Sequence, residues 1–148
     1  MPYFKVVDNV GGSLVSTYTA GALKATYVPG QRFKPPVGKV FIFSDEQMAR
    51  DWVGTGPQAG ALEAWECDAE GVEVALSCFS QTPLEDYDQE PGITERVNEW
   101  WERAEYRRPA VHHDDRMTLT RYYRSLVLLQ PPAGTLVADA VTLLRKLA

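Results

Sequence analysis

KVFIFSDEQMARDWV, from Lys39 to Val53, changes its hydrophobic period halfway along. KVFIF is a short, almost wholly apolar run rich in β-formers, the pattern of a strand buried on both faces. The next residue, Ser44, is a good helix N-cap, and Gln47 three positions on completes a capping box. Asp45 and Glu46 suit the positive end of a helix dipole. Met48, Ala49, Trp52 and Val53 then form an apolar helical stripe, with Gly54 as the expected stop. A strand that runs straight into a helix predicts a sheet with a helix laid on it. Phe41 and Phe43 should then share a core with Trp52.

Toward the N-terminus, PYFKVVDN reads as a first strand with Tyr3, Lys5 and Val7 on one face and Phe4 and Val6 on the other. Asn9 to Gly12 supplies a turn, because Asn and Gly tolerate positive φ. SLVSTYT and KATYVPG read as further strands, and Pro35-Pro36 makes QRFKPPVG an extended loop. Toward the C-terminus, ALEAWECDAEGVEVALSCFS carries two runs of period two around Glu70-Gly71, which predicts a hairpin. ITERVNEWWERAEYRR, from Ile93 to Arg108, has the strongest helical spacing, and Pro109 closes it. MTLTRYYRSLVLLQ reads as a long strand. GTLVADAVTLLRKLA reads as a terminal helix capped by Thr135. The sum is an α+β fold: a single compact domain over residues 1–148, mostly antiparallel sheet, with two or three helices.

Composition narrows the function classes. With 45% hydrophobic and 24% charged residues the chain is of ordinary globular make-up, and its net charge of −5 argues against general nucleic-acid binding. The charge is uneven. Leu62 to Glu90 holds nine acids and no Lys or Arg, read as a solvated surface or as an acidic face for a basic partner. No apolar run approaches the ~18–20 residues of a membrane span, and MPYFKVVDNV lacks a signal-peptide pattern, so the expected compartment is the cytoplasm. Cys67 and Cys78 are too few for a disulfide framework; reduced thiols are expected, with cross-strand pairing as the alternative.

YVPGQRFKPPVGKVFIFSDEQMARDWV, LEAWECD and GTLVADAVTLLRKL together cover about half the chain. They resemble segments of small uncharacterised proteins of phages and prophages. The resemblance implies a protein working in a host cytoplasm, with recognition of a host factor, including counter-defence, as its expected role.

Every histidine lies in RPAVHHDDRMTLTRYYRS, from Arg108 to Ser125. His112 and His113 are neighbours, so their side chains diverge in either regular structure, and no H-x-x-x-H, H-E-x-x-H or C-x-x-C spacing supports a metal site. No cofactor or metal is expected. Nucleophile elbows and phosphate loops are absent from the sequence. The pattern of mono-ADP-ribosyltransferases fails too: there is no early His, no Arg in the first strand, and no E-x-E or Q-x-E.

On a strand Arg121 and Tyr123 share one face, and Tyr122 and Arg124 the other. With Arg116 they form a candidate surface for a nucleotide-like anion, since guanidinium pairs with phosphate and tyrosine stacks on bases. The leading expectation is a cytosolic binding protein for a host protein or a nucleotide-like small molecule, without catalysis. The alternatives are a small enzyme on a nucleotide or phosphorylated substrate, ADP-ribosyltransferase-like for example, with His112 or His113 as acid–base group, or a structural component. The last would be a homo-oligomer with Trp100 or Trp101 at its interface.

Overall fold

A computed structural model describes residues 2–16, 25–35, 38–55, 60–76, 78–81, 101–102, 126–129, 131 and 134–148. Two of its strands carry most of the pairing: β1 (Tyr3–Val10) and β6 (Ala61–Glu70) run antiparallel in register from Tyr3↔Cys67 to Asn9↔Ala61. β1 turns through Gly11-Gly12, both at positive φ, into β2 (Ser13–Val15), which pairs in turn with β3 (Thr26–Tyr27). Positive φ at both central residues is what a two-residue hairpin of type I′ requires, and glycine adopts it without strain.

The rest of the main sheet is built from β4 (Arg32–Phe33), β5 (Val40–Phe43), β7 (Glu73–Val74), β10 (Thr135–Ala138) and β11 (Ala140–Lys146). Its order is β4-β11-β6-β1-β5-β10-β7, all antiparallel, with β2 and β3 alongside β1. β8 (Cys78–Gln81) and β9 (Leu126–Leu129) pair separately.

This order bends the sheet into a ring. β10 and β11 lie four strand spacings apart along the path, about 19 Å in a flat sheet. Yet only Asp139 separates them in sequence, and Ala138 pairs with Val40 while Ala140 pairs with Glu70. The sheet therefore curls until both partners reach one bent strand.

Curling gives the sheet an inner and an outer face. Val7, Tyr27, Val40, Ile42, Cys67, Ala138, Val141 and Leu143 pack inside. Phe4, Val6, Phe43, Leu62, Ala64 and Leu147 pack outside, against α1 (Glu46–Thr55), whose Ala49 is fully buried and whose Met48, Trp52 and Val53 are partly so. The strand-to-helix reading of Lys39–Val53 thus holds, as does the alternation along β1. Burying each large side chain contributes about 1.5–3 kcal/mol.

Several expectations are corrected. Asp45, and not Ser44, caps α1: its Oδ1 accepts from the Met48 amide at 3.1 Å, while the Ser44 hydroxyl donates to the Gly134 carbonyl. Gly54 lies within the last turn. Phe41 is half-buried and meets Trp101, ring centroids 5.8 Å apart, so only Phe43 shares the Trp52 core. That contact also commits Trp101 to a partner within the chain.

Glu70-Gly71 is a turn, with Gly71 at φ +64°, but not a hairpin: β7 pairs with β10, and β6 with β1 and β11. The terminal helix is replaced by β10 and β11, because residues 135–147 serve both layers of the ring and alternate between its faces. Among the described residues α1 is the one helix seen over its whole length, against two or three expected; the segment Ile93–Arg108 lies outside them except for Trp101 and Glu102, which are helical. No helix among the described residues is long and apolar enough to cross a membrane.

Candidate functional site

The inner face of β1 carries Lys5 between Tyr3 and Val7, and the pairing places Trp65 opposite Lys5 and Glu63 opposite Val7. Lys5 is 7% exposed; its Nζ donates to the Phe41 carbonyl at 2.8 Å and sits 5.6 Å from the centre of the Tyr27 ring. Burial pulls the Lys5 ammonium down to about 8, opposed by the nearby Cys67. Burial pushes the Cys67 thiol up to about 12, with Lys5 working against it. Cys67 is a free, buried thiol, so the cross-strand cystine is not formed. At neutral pH these are an ammonium and a protonated thiol, both packed away from solvent.

The inner face opens at one end into a pocket of about 500 Å³, between the β1–β2 turn, β3 and the end of β11. Glu63 is its most constrained group. Its Oε2 accepts from Asn9 Nδ2 at 2.8 Å, its Oε1 from the Trp65 indole at 3.1 Å, and Lys146 Nζ stands 3.4 Å from Oε2. Burial alone would raise the Glu63 carboxyl, but the Asn9, Trp65 and Lys146 donors outweigh it and hold the pKa below the usual value. The carboxylate is therefore ionised and fixed. Asn9 is fixed as well, because its Oδ1 accepts from the Gly12 amide at 2.9 Å. Trp65 and Tyr27 supply aromatic wall, and Leu14, Val28 and Pro29 supply apolar wall.

The acidic stretch beginning at Leu62 is not an unpaired acidic face on β6. Glu63, Glu66 and Glu70 face Lys146, Arg145 and Arg32, the last pair through two hydrogen bonds. Its cations come from β4 and β11, far away in sequence.

The residues singled out from the sequence, His112, His113, Arg116, Arg121, Tyr122, Tyr123 and Arg124, all lie outside the described residues. The pocket residues were missed. One signal was readable: the alternation that puts Lys5 with Val7, and Glu63 with Trp65, on a single face of each strand. Among the described residues no group of three or more His, Cys, Asp or Glu side chains could hold a metal ion. In comparisons with family models, curated proteins and solved structures, nothing matches this chain.

Proposed function

We propose that this chain is a binding protein of phage type, which recognises a host protein through the pocket at the open end of its inner face and performs no turnover. One observation carries the reading. The polar groups of the pocket are held by one another: Asn9 and Trp65 both donate to Glu63, beside an aromatic and apolar wall. Fixed donors and acceptors beside stacking surface favour recognition, since little side-chain freedom is lost on binding. The Cys67 thiol beneath supports the same reading, because a thiol raised to about 12 is a poor nucleophile at neutral pH.

The test is capture from bacterial lysate, identification by mass spectrometry and calorimetric titration of the purified partner. Ser13 is exposed and lines the pocket, so Ser13→Trp should block it without disturbing the core. Loss of binding in Ser13→Trp supports the proposal. Undiminished binding in Ser13→Trp overturns it, and loss in Arg121→Ala or Arg124→Ala instead would transfer recognition to the anion surface.

A further inference from the structure

The Glu63 carboxylate already has a cation beside it, and the quality of that contact is informative. Lys146 Nζ stands 3.4 Å from Oε2, longer than the ~2.7–2.9 Å of a charge-assisted hydrogen bond. The Lys146 side chain is 56% exposed, whereas that of Glu63 is only 11% exposed. A fixed, nearly buried anion is thus paired with a loosely held, solvated cation. The lysine end of the contact is solvated and screened, and an exchange keeps Glu63 paired, so replacing Lys146 by another ammonium costs little.

From this geometry we infer that the pocket takes a lysine side chain of the protein partner, whose ammonium replaces that of Lys146 at Glu63; the inference rests on the binding reading above. The stem of such a side chain is apolar and suits Leu14, Val28 and Pro29. Its charged end would lie among Glu63, Trp65 and Tyr27, and aromatic rings attract ammonium groups. Arginine fits less well. A guanidinium fork engages both carboxylate oxygens side by side, and here the Trp65 indole already occupies one lone pair of Oε1 and Asn9 one of Oε2. An ammonium is a point charge and needs one lone pair. The net charge of −5 favours the approach of a basic segment.

The Trp65 indole N–H bonds to Glu63 itself, so its nitrogen–proton NMR signal in the full chain reports on the site. The probes are Nα-acetyl-lysine methylamide, its neutral ε-acetylated analogue, and Nα-acetyl-arginine methylamide. The lysine probe should move the signal saturably, the arginine probe more weakly, and the ε-acetylated probe not at all. Lys146→Met removes the resident competitor and should tighten the lysine probe roughly two- to fivefold, the scale of an exposed ion pair. Glu63→Gln should abolish the response. Should Glu63→Gln fail to fold, the Lys146→Met titration decides alone.

No response to the lysine probe, an equal response to its ε-acetylated form, or weaker binding in Lys146→Met overturns the inference. The two readings fail separately. Partner binding lost in Ser13→Trp but unchanged in Glu63→Gln and Lys146→Met refutes the lysine site and leaves the binding protein. Partner binding unchanged in Ser13→Trp refutes the binding reading itself.

Discussion

The Lys5 ammonium donates to the carbonyl oxygen of Phe41 across the inner face of the ring, where it is almost removed from solvent. Its pKa falls from 10.5 to about 8, so the folded chain binds fewer protons than the unfolded chain between those values. Stability supplied by Lys5 is therefore present above pH 10.5 and lost as pH falls through about 8, on the order of 3 kcal/mol over the window. Cys67 acts in the opposite sense. Its pKa rises from 9.0 to about 12, so its contribution is present below pH 9.0 and lost toward pH 12. Burial raises the Tyr27 phenol above its usual 10.0, so Tyr27 acts in the same sense as Cys67 from pH 10 upward. Urea midpoints should therefore rise from pH 8 to 9, level off, and fall above pH 10. Lys5→Met should show no rise between pH 8 and 9; a rise that survives in Lys5→Met would mean that another group supplies it and that burial does not lower the Lys5 pKa.

Phe43 and Phe41 lie on the same face of β5 but in different surroundings. Phe43 packs with Phe4 and Ala49 under α1, whereas Phe41 is only half-buried beside Trp101. Phe43→Ala should cost about 3–5 kcal/mol, the range for a buried aromatic, and Phe41→Ala clearly less. Equilibrium denaturation of both variants checks the order. Equal costs would contradict the placement of α1 over Phe43.

Asp45→Ala should destabilise by about 0.5–2 kcal/mol, because it leaves the Met48 amide without its cap. Ser44→Ala should cost less, since it removes a single exposed 3.3 Å bond to Gly134. Thermal melts of the two variants decide which residue begins the helix.

Gly71 at φ +64° faces Asp139, and a β-carbon there would lie 2.0 Å from an Asp139 carboxylate oxygen. Gly71→Ala therefore combines backbone strain of about 1–2 kcal/mol with displacement of the side chain that pairs with Lys39. Gly71→Ala in an Asp139→Ala background should relieve the clash with the carboxylate and keep the strain. Additive costs in that double-mutant cycle would show that the two residues do not meet.

The strand and helix at Lys39–Val53 are legible in the sequence because the period changes between Phe43 and Ser44, and both periods are local. The faces of β1 are legible for the same reason. Residues 135–147 are not, because Val137, Val141 and Leu144 satisfy a helical spacing, yet Leu144 is exposed and Ala138 and Ala140 are buried. Where both faces of an alternating strand are buried, apolar residues fill both, and the polar–apolar contrast that marks a strand is lost. At Glu70-Gly71 the turn is readable and the partner is not, since β7 finds β10 rather than its neighbour in sequence. The pocket depends on the same long-range pairing: Glu63 meets Asn9 through β1 and Lys146 through β11, and no spacing rule connects the three. The Arg–Tyr segment drew attention through composition, which shows chemistry without placing it.

The bend at Asp139 also governs how quickly this molecule can assemble. β6 is flanked by β1 from one end of the chain and β11 from the other, so its edges are satisfied only after the longest loops have closed. The Gly11-Gly12 hairpin is local and should form in about 1–10 μs, whereas a topology dominated by distant pairings belongs with folds that take milliseconds to seconds. Until β11 arrives, β6 presents an open strand edge that can pair with another copy. The pairing of β11 with β6 that ends this exposure also brings Lys146 to Glu63 and so completes the pocket.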